Sequence, residues 1–260
     1  MNSTVKYFAE AKSRGEPIAM ITAYDATSAA LAQAAGITNL LVGDSLGMVV
    51  QGRDSTLPVT LDDICYHTRW VVRGAPESFV IADMPFMSYQ VSVEDGLRAC
   101  GRVVKESGAH AVKLEGGTNI VPLVKALVDI GIPVIGHIGM QPQSVNLYGG
   151  YGKRGKSSAG RTKLLDEAQA LEAAGIFSIV LENIPHKLAG EISGSLVIPT
   201  IGIGAGPECD GQIQVFHDLL GLQPDFKPRH TRRFGEIGQA IVTALAAYAD
   251  EVHRGKFVSK

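Results

Sequence analysis

Short apolar runs alternate with longer segments whose apolar residues recur at helical spacing, and the alternation persists from residue 18 to residue 221. IAMITAYD (18–25) reads as a strand and ATSAALAQAAG as the helix after it, closed by Gly36. NLLVGDS is a second strand, and a helix follows Thr60, whose hydroxyl is a good N-cap. FVIADMP, AVKLEGG, VIGHIGM, SIVLENI and PTIGIGAG continue the strands. The intervening helices are predicted over VSVEDGLRACGRVVKESG, with Ser92 as N-cap and Gly108 at its end, and over 120–131, 161–175 and 186–196. QIQVFHDLLG (212–221) fits a short strand or an amphipathic helix, with a strand favoured, and a last helix runs from about Phe234 to Val252. Near-continuous apolar strands, each followed by a helix, imply a parallel sheet covered on both faces. Seven or eight such units predict closure into one (β/α)8 barrel of TIM type spanning residues 1–260 as a single catalytic domain.

The polar punctuation of this pattern carries the chemistry. Asp44, Asp83, Glu115 and Glu182 each stand at the C-terminal tip of a different strand-like run. Barrel active sites are built at those tips, so the four carboxylates are expected around one mouth. Three carboxylates suit a hard divalent cation and a fourth is left to move a proton, which is the equipment for enolising a carbonyl compound. Lys113 shares its strand with Glu115, and period-2 alternation points both inward. The bland alternative is that an acid after a strand caps the next helix. For one acid that is an even match, but four at four tips beside a lysine make it a poor one.

Composition narrows the classes. The chain has 260 residues, 45% of them hydrophobic, enough for a full core, and a net charge of −2 with both signs scattered. No basic stripe suggests nucleic acid, and no apolar stretch is long enough to suggest a signal peptide or membrane span. Cys65, Cys100 and Cys209 are odd in number and far apart, which points to a reducing compartment rather than disulfides or zinc. GIGAG (202–206) lacks the GxGxxG spacing and reads as a tight turn. GGYGKRG (149–155) reads as a mobile loop, with Lys153 and Arg154 able to meet an anionic tail. His67, His186 and His217 read as surface or packing residues, and the basic PRHTRRF segment (228–234) as a solvated face or an interface.

The runs LLVGDSLGMVVQGRDSTLPVTLDDICYHTR, ADMPF, AVKLEGG, PVIGHIGMQPQ, IVLENIP and TIGIGAGPECDGQIQVFHDLLGL resemble the ketopantoate hydroxymethyltransferase family over nearly the whole chain. The resemblance implies a barrel of the phosphoenolpyruvate/pyruvate-like superfamily, assembled as a homo-oligomer, often a decamer, in the cytoplasm. It implies transfer of a hydroxymethyl group from 5,10-methylenetetrahydrofolate, as co-substrate, to 3-methyl-2-oxobutanoate, giving 2-dehydropantoate for pantothenate synthesis. It further implies Mg²⁺ at Asp44, Asp83 and Glu115, with Zn²⁺, Co²⁺ or Mn²⁺ as other candidates. Glu182 matches the proton acceptor, while Asp44, Ser45, Asp83, Lys113 and His137 are the expected contacts to the oxo acid. The folate tail would be the partner of Lys153 and Arg154. Asn183 departs from the pattern, which leads one to expect a small residue or cysteine there, and the chain ends at KFVSK. A lyase of the same superfamily would be expected to carry a cysteine loop of the KKCGH kind, which this sequence lacks. A barrel that only binds ligands would be expected to have lost one of the five charged residues, and all are present.

Overall fold

Period-2 alternation inside each strand is what stacks apolar side chains at one end of the molecule and charged ones at the other. In the computed structural model, which describes residues 4–223, 225 and 231–258, eight parallel strands close into a barrel in chain order. The elements are α1 (Val5–Arg14), β1 (Ile18–Thr22), α2 (Ala26–Ala34), β2 (Asn39–Val42), α3 (Leu46–Val49), α4 (Leu61–Gly74) and β3 (Phe79–Asp83). They continue with α5 (Val93–Ser107), β4 (Ala111–Glu115), α6 (Val121–Asp129), β5 (Val134–Gly139), α7 (Val145–Tyr148), α8 (Ser158–Ala173) and β6 (Ser178–Glu182). The chain closes with α9 (His186–Ser195), β7 (Thr200–Ile203), β8 (Gly211–Gln214), α10 (Phe216–Leu220) and α11 (Ile237–His253). It divides into two compact units, Met1–Ile213 and Gln214–Lys260.

Inside the first unit the lower barrel is apolar. Met20, Leu41, Ile81, Ala111, Ile135, Val180 and Ile201 form one buried cluster, into which α1 inserts Phe8 and Ala11. Phe8 packs against Phe79 and Phe177 with ring centroids 5.9 and 5.1 Å apart. Two residues further along the same inward columns stand Asp83, Lys113, His137 and Glu182, so the polar layer is set directly on the apolar plug. The strand register makes Asp83 the neighbour of Lys113, and Glu115 the neighbour of His137.

The helix signals act as expected. Thr60 and Asp63 form a reciprocal capping box at the start of α4. The Ser92 hydroxyl accepts from Asp95 N, and Gly108 closes α5 at φ 79°. The eighth unit shares both readings of its sequence: 211–214 is strand and 216–220 is helix. The N-terminal α1 has no counterpart in the expected elements, and Thr4 caps it.

In the second unit, Phe234 N donates to Leu219 O and Gly238 N to Gly221 O. Arg233 pairs with Glu236 at 2.8 Å, and Arg232 lies over the Phe234 ring at 5.0 Å. Residues 228–230 of the basic segment lie outside the described residues. Ile241, Val242, Leu245, Tyr248 and Val252 of α11 are all exposed. Among the described residues no helix is long and apolar enough to cross a membrane. The three cysteines are unpaired with one another, and burial pushes the Cys100 thiol up to about 12.

Candidate active site at the strand tips

Asp44, Asp83, Lys113, Glu115 and His137 are each 5% exposed or less. They come from β3, β4, β5 and the turn after β2, so the expected cluster does assemble. Lys113 Nζ lies 2.8 Å from Asp83 Oδ1, 3.6 Å from Glu115 Oε1 and 3.1 Å from His137 Nδ1. His137 in turn places Nε2 3.3 Å from Glu182 Oε2. The Glu182 side chain, at 17%, is the most exposed of the four carboxylates and faces the mouth.

Asp44 does not cap a helix, since its Oδ2 accepts from Gln143 Nε2 at 3.0 Å while its own N–H donates to Asp83 Oδ2 at 3.1 Å. Ser45 shares a 2.8 Å hydrogen bond with the Tyr24 hydroxyl. Gln143 and Tyr89 are the site residues that the strand pattern does not reveal. Gln143 also donates to Met84 O and receives the Tyr89 hydroxyl on Oε1, while its N–H donates to Glu115 Oε2. Tyr89 accepts from Glu115 N. The amide pair in IGMQPQ, placed just past a strand tip, is the one sequence signal that points to Gln143.

Electrostatics follow from burying three carboxylates beside one ammonium. Burial, then repulsion from Asp83 and Glu115, raises Asp44 well above the usual carboxylate range. Burial also raises Asp83, against the pull of Lys113. Burial acts on Glu115 too, but Lys113, His137 and the Gln143 N–H outweigh it and hold that acid low. Lys113 is raised, its desolvation overcome by the three carboxylates. For His137, burial and Lys113 oppose a proton, yet Glu115 and Glu182 outweigh them and push it up to about 9. The close Lys113 approach to Nδ1 favours the neutral ring. Two flanking carboxylates decide for the imidazolium.

Among the described residues no three His, Cys, Asp or Glu side chains stand ready to hold a metal. The Lys113 ammonium occupies the space between Asp83 and Glu115 instead. The donor chemistry nevertheless fits a hard cation: every candidate ligand atom is a carboxylate oxygen, and Asp83 Oδ1 and Glu115 Oε1 are buried without a hydrogen-bond donor. A cavity of about 290 Å³ opens beside Glu115, lined among others by Tyr89, Gln143, Tyr148 and Arg154. Arg154 is stacked on the Tyr148 ring at 4.0 Å, whereas Lys153 is exposed.

Comparison with known proteins agrees with this geometry. A family model described as ketopantoate hydroxymethyltransferase matches residues 2–260. A 3-methyl-2-oxobutanoate hydroxymethyltransferase of Clostridium botulinum (strain 657 / Type Ba4) is 52% identical over 99% of this chain and 94% of its own length. That of Roseiflexus sp. (strain RS-1) is 54% identical over 99% and 92%. Among solved structures, 2,3-dimethylmalate lyase, a PEP mutase/isocitrate lyase superfamily member, superposes with a TM-score of 0.64 at 20% identity, covering 100% of this chain and 91% of that one. Phosphonopyruvate hydrolase in complex with oxalate and Mg²⁺ gives 0.65 at 13% identity, covering 97% and 88%. These two share the fold, while the sequence matches settle the family: the chain belongs to the ketopantoate hydroxymethyltransferases.

Proposed function

We propose that this chain transfers a one-carbon unit from 5,10-methylenetetrahydrofolate to 3-methyl-2-oxobutanoate, yielding 2-dehydropantoate and tetrahydrofolate in cytoplasmic pantothenate and coenzyme A synthesis. The acceptor is the one in the names of its relatives. One observation carries the reading: a partly exposed carboxylate, Glu182, faces a buried cluster of three carboxylates and two cationic side chains. Asp44 and Asp83, with Glu115, would hold a divalent cation, Mg²⁺ first, and that cation when bound would draw charge from the ketone oxygen of the acceptor.

The chain's own groups do the remaining work. Lys113 and Ser45 offer donors to the carboxylate and ketone oxygens of the oxo acid, in a water-poor setting that strengthens each contact. Glu182 takes the proton from C3, and His137, 3.3 Å away, steadies its carboxylate. The C3 electron pair then forms the new bond to the folate methylene carbon; one folate nitrogen leaves, and water supplies the hydroxyl. The exposed apolar row of α11 supports self-association into a closed oligomer, a decamer being the expected form. Tetrahydrofolate release in a coupled assay, dependent on 3-methyl-2-oxobutanoate, tests the reading. Absence of release with Mg²⁺ and both substrates present would overturn it.

A further inference from the structure

Asn183 follows the proposed base and adopts φ +46°, a left-handed conformation that asparagine tolerates far better than most side chains. Its N–H donates to Ile203 O, which holds it in line with β7. From this turned position its Nδ2 donates to Tyr151 O at 3.0 Å, and its own carbonyl accepts from Arg154 N at 3.0 Å. Both bonds reach across to the glycine-rich 149–155 loop, whose Gly149, Gly150 and Gly155 all carry positive φ. Further fastenings lie on the same loop. Arg154 stacks on Tyr148, and the Tyr148 hydroxyl donates to Gln141, whose amide donates to His137 O. At the loop's end, a Cβ on Gly155 would come within 2.7 Å of Leu188 and 2.8 Å of Leu164. The middle of the loop, Tyr151 to Lys153, is exposed and has the Asn183 amide as its side-chain anchor. Tyr151 itself reaches the mouth: partial burial, together with the charges of Asp44, Glu182 and Glu115, raises its hydroxyl above the usual range.

We propose that Asn183 is a positioning residue, which ties the 149–155 loop to the tip of β6 so that Tyr151 covers Glu182 and the bound oxo acid. The inference rests on the hydroxymethyl transfer proposed above. After Glu182 removes the C3 proton, the carbon can take a proton back from solvent or form a bond to the one-carbon donor. A fastened loop keeps water from the first course, as closed loops over reactive intermediates do. The relevant readout is therefore a partition between two outcomes rather than a rate alone.

Asn183→Gly keeps the positive φ and removes the amide; Asn183→Asp keeps the shape and removes the donor. Trypsin cleavage after Lys153 and Arg154, followed by mass spectrometry, should quicken about fivefold in both variants, the population shift that one lost hydrogen bond produces. In D₂O, the ratio of C3 deuterium exchange to product should rise severalfold in both, with the exchange rate itself retained. Wild-type cleavage rates in the variants would overturn the tether. Faster cleavage with an unchanged ratio, or exchange and product falling together, would overturn the positioning role. Cleavage does not depend on the reaction, so an inactive wild-type protein would count against the proposed function and leave the tether to be judged by trypsin.

Discussion

Lys113 and Asp83 form an ion pair shut away from water, with Nζ 2.8 Å from Oδ1 and side chains 5% and 2% exposed. An exposed pair contributes little, but removing one partner of a buried pair leaves a charge with no solvent to receive it. Lys113 here also faces Glu115, so its loss abandons two acids at once.

Lys113→Met, which keeps the length without the charge, should therefore cost about 3–5 kcal/mol of stability. A divalent cation could then neutralise Asp44, Asp83 and Glu115, so millimolar Mg²⁺ should raise the melting temperature of the variant more than that of the wild type. Thermal denaturation with and without EDTA measures both effects. Equal Mg²⁺ responses in the two proteins would mean that the carboxylates do not take the ion.

A pH prediction attaches to His110, which stacks on Phe79 with centroids 5.4 Å apart and an interplanar angle of 24°. Burial lowers its pKa. Val80 N also donates to Nδ1 at 3.0 Å, and that bond needs the unprotonated nitrogen. The folded protein thus binds this proton less readily than the unfolded chain does. Stability should fall as pH drops through the unfolded histidine value, about 6.5. Urea unfolding at pH 7.5 and pH 5.5 should show a smaller loss for His110→Gln than for wild type, by a fraction of one proton's slope. An identical slope would show that His110 takes no part.

The strand tips were legible because they rest on two local rules, run length and period-2 alternation. Asp83, Lys113, Glu115 and Glu182 fall inward by counting alone. The α1 plug was not legible, since only Phe8 and Ala11 of its residues are buried, and the hole they fill exists only after distant strands close. Tyr89 and Gln143 escape for a related reason. Both lie outside the strands and reach Glu115 across 26 and 28 residues, where no periodicity aims a side chain. The split of 212–221 into strand and helix reflects an apolar run that satisfies both periods.

The exposed face of α11 gives a prediction about assembly. Ile241, Val242, Leu245, Tyr248 and Val252 recur at helical spacing with no cover in the single chain. Light scattering at micromolar concentration should report a closed oligomer larger than a dimer. Leu245→Glu combined with Val252→Glu should shift it to smaller species, because a charge buried at an interface is left without a partner. A monodisperse 27.5 kDa species from the unaltered protein would refute the assembly.

Glu182 is the group on which the proposed chemistry turns. Its Oε2 lies 3.3 Å from His137 Nε2, and its 17% side-chain exposure leaves it open to the mouth, unlike the buried acids behind it. Glu182→Gln preserves the side-chain shape and removes the base. In D₂O with Mg²⁺, C3 exchange of 3-methyl-2-oxobutanoate and product formation should both fall by roughly 10²–10⁴-fold, the usual contribution of a general base. Oxo-acid and metal affinity should stay within a few-fold of wild type, since the residue is assigned no part in holding either. Proton NMR follows the exchange directly, and titration calorimetry follows the binding. If Glu182→Gln exchanges at the wild-type rate, the proton is taken by another group, and His137, in contact with Lys113, Glu115 and Glu182, is the next to replace.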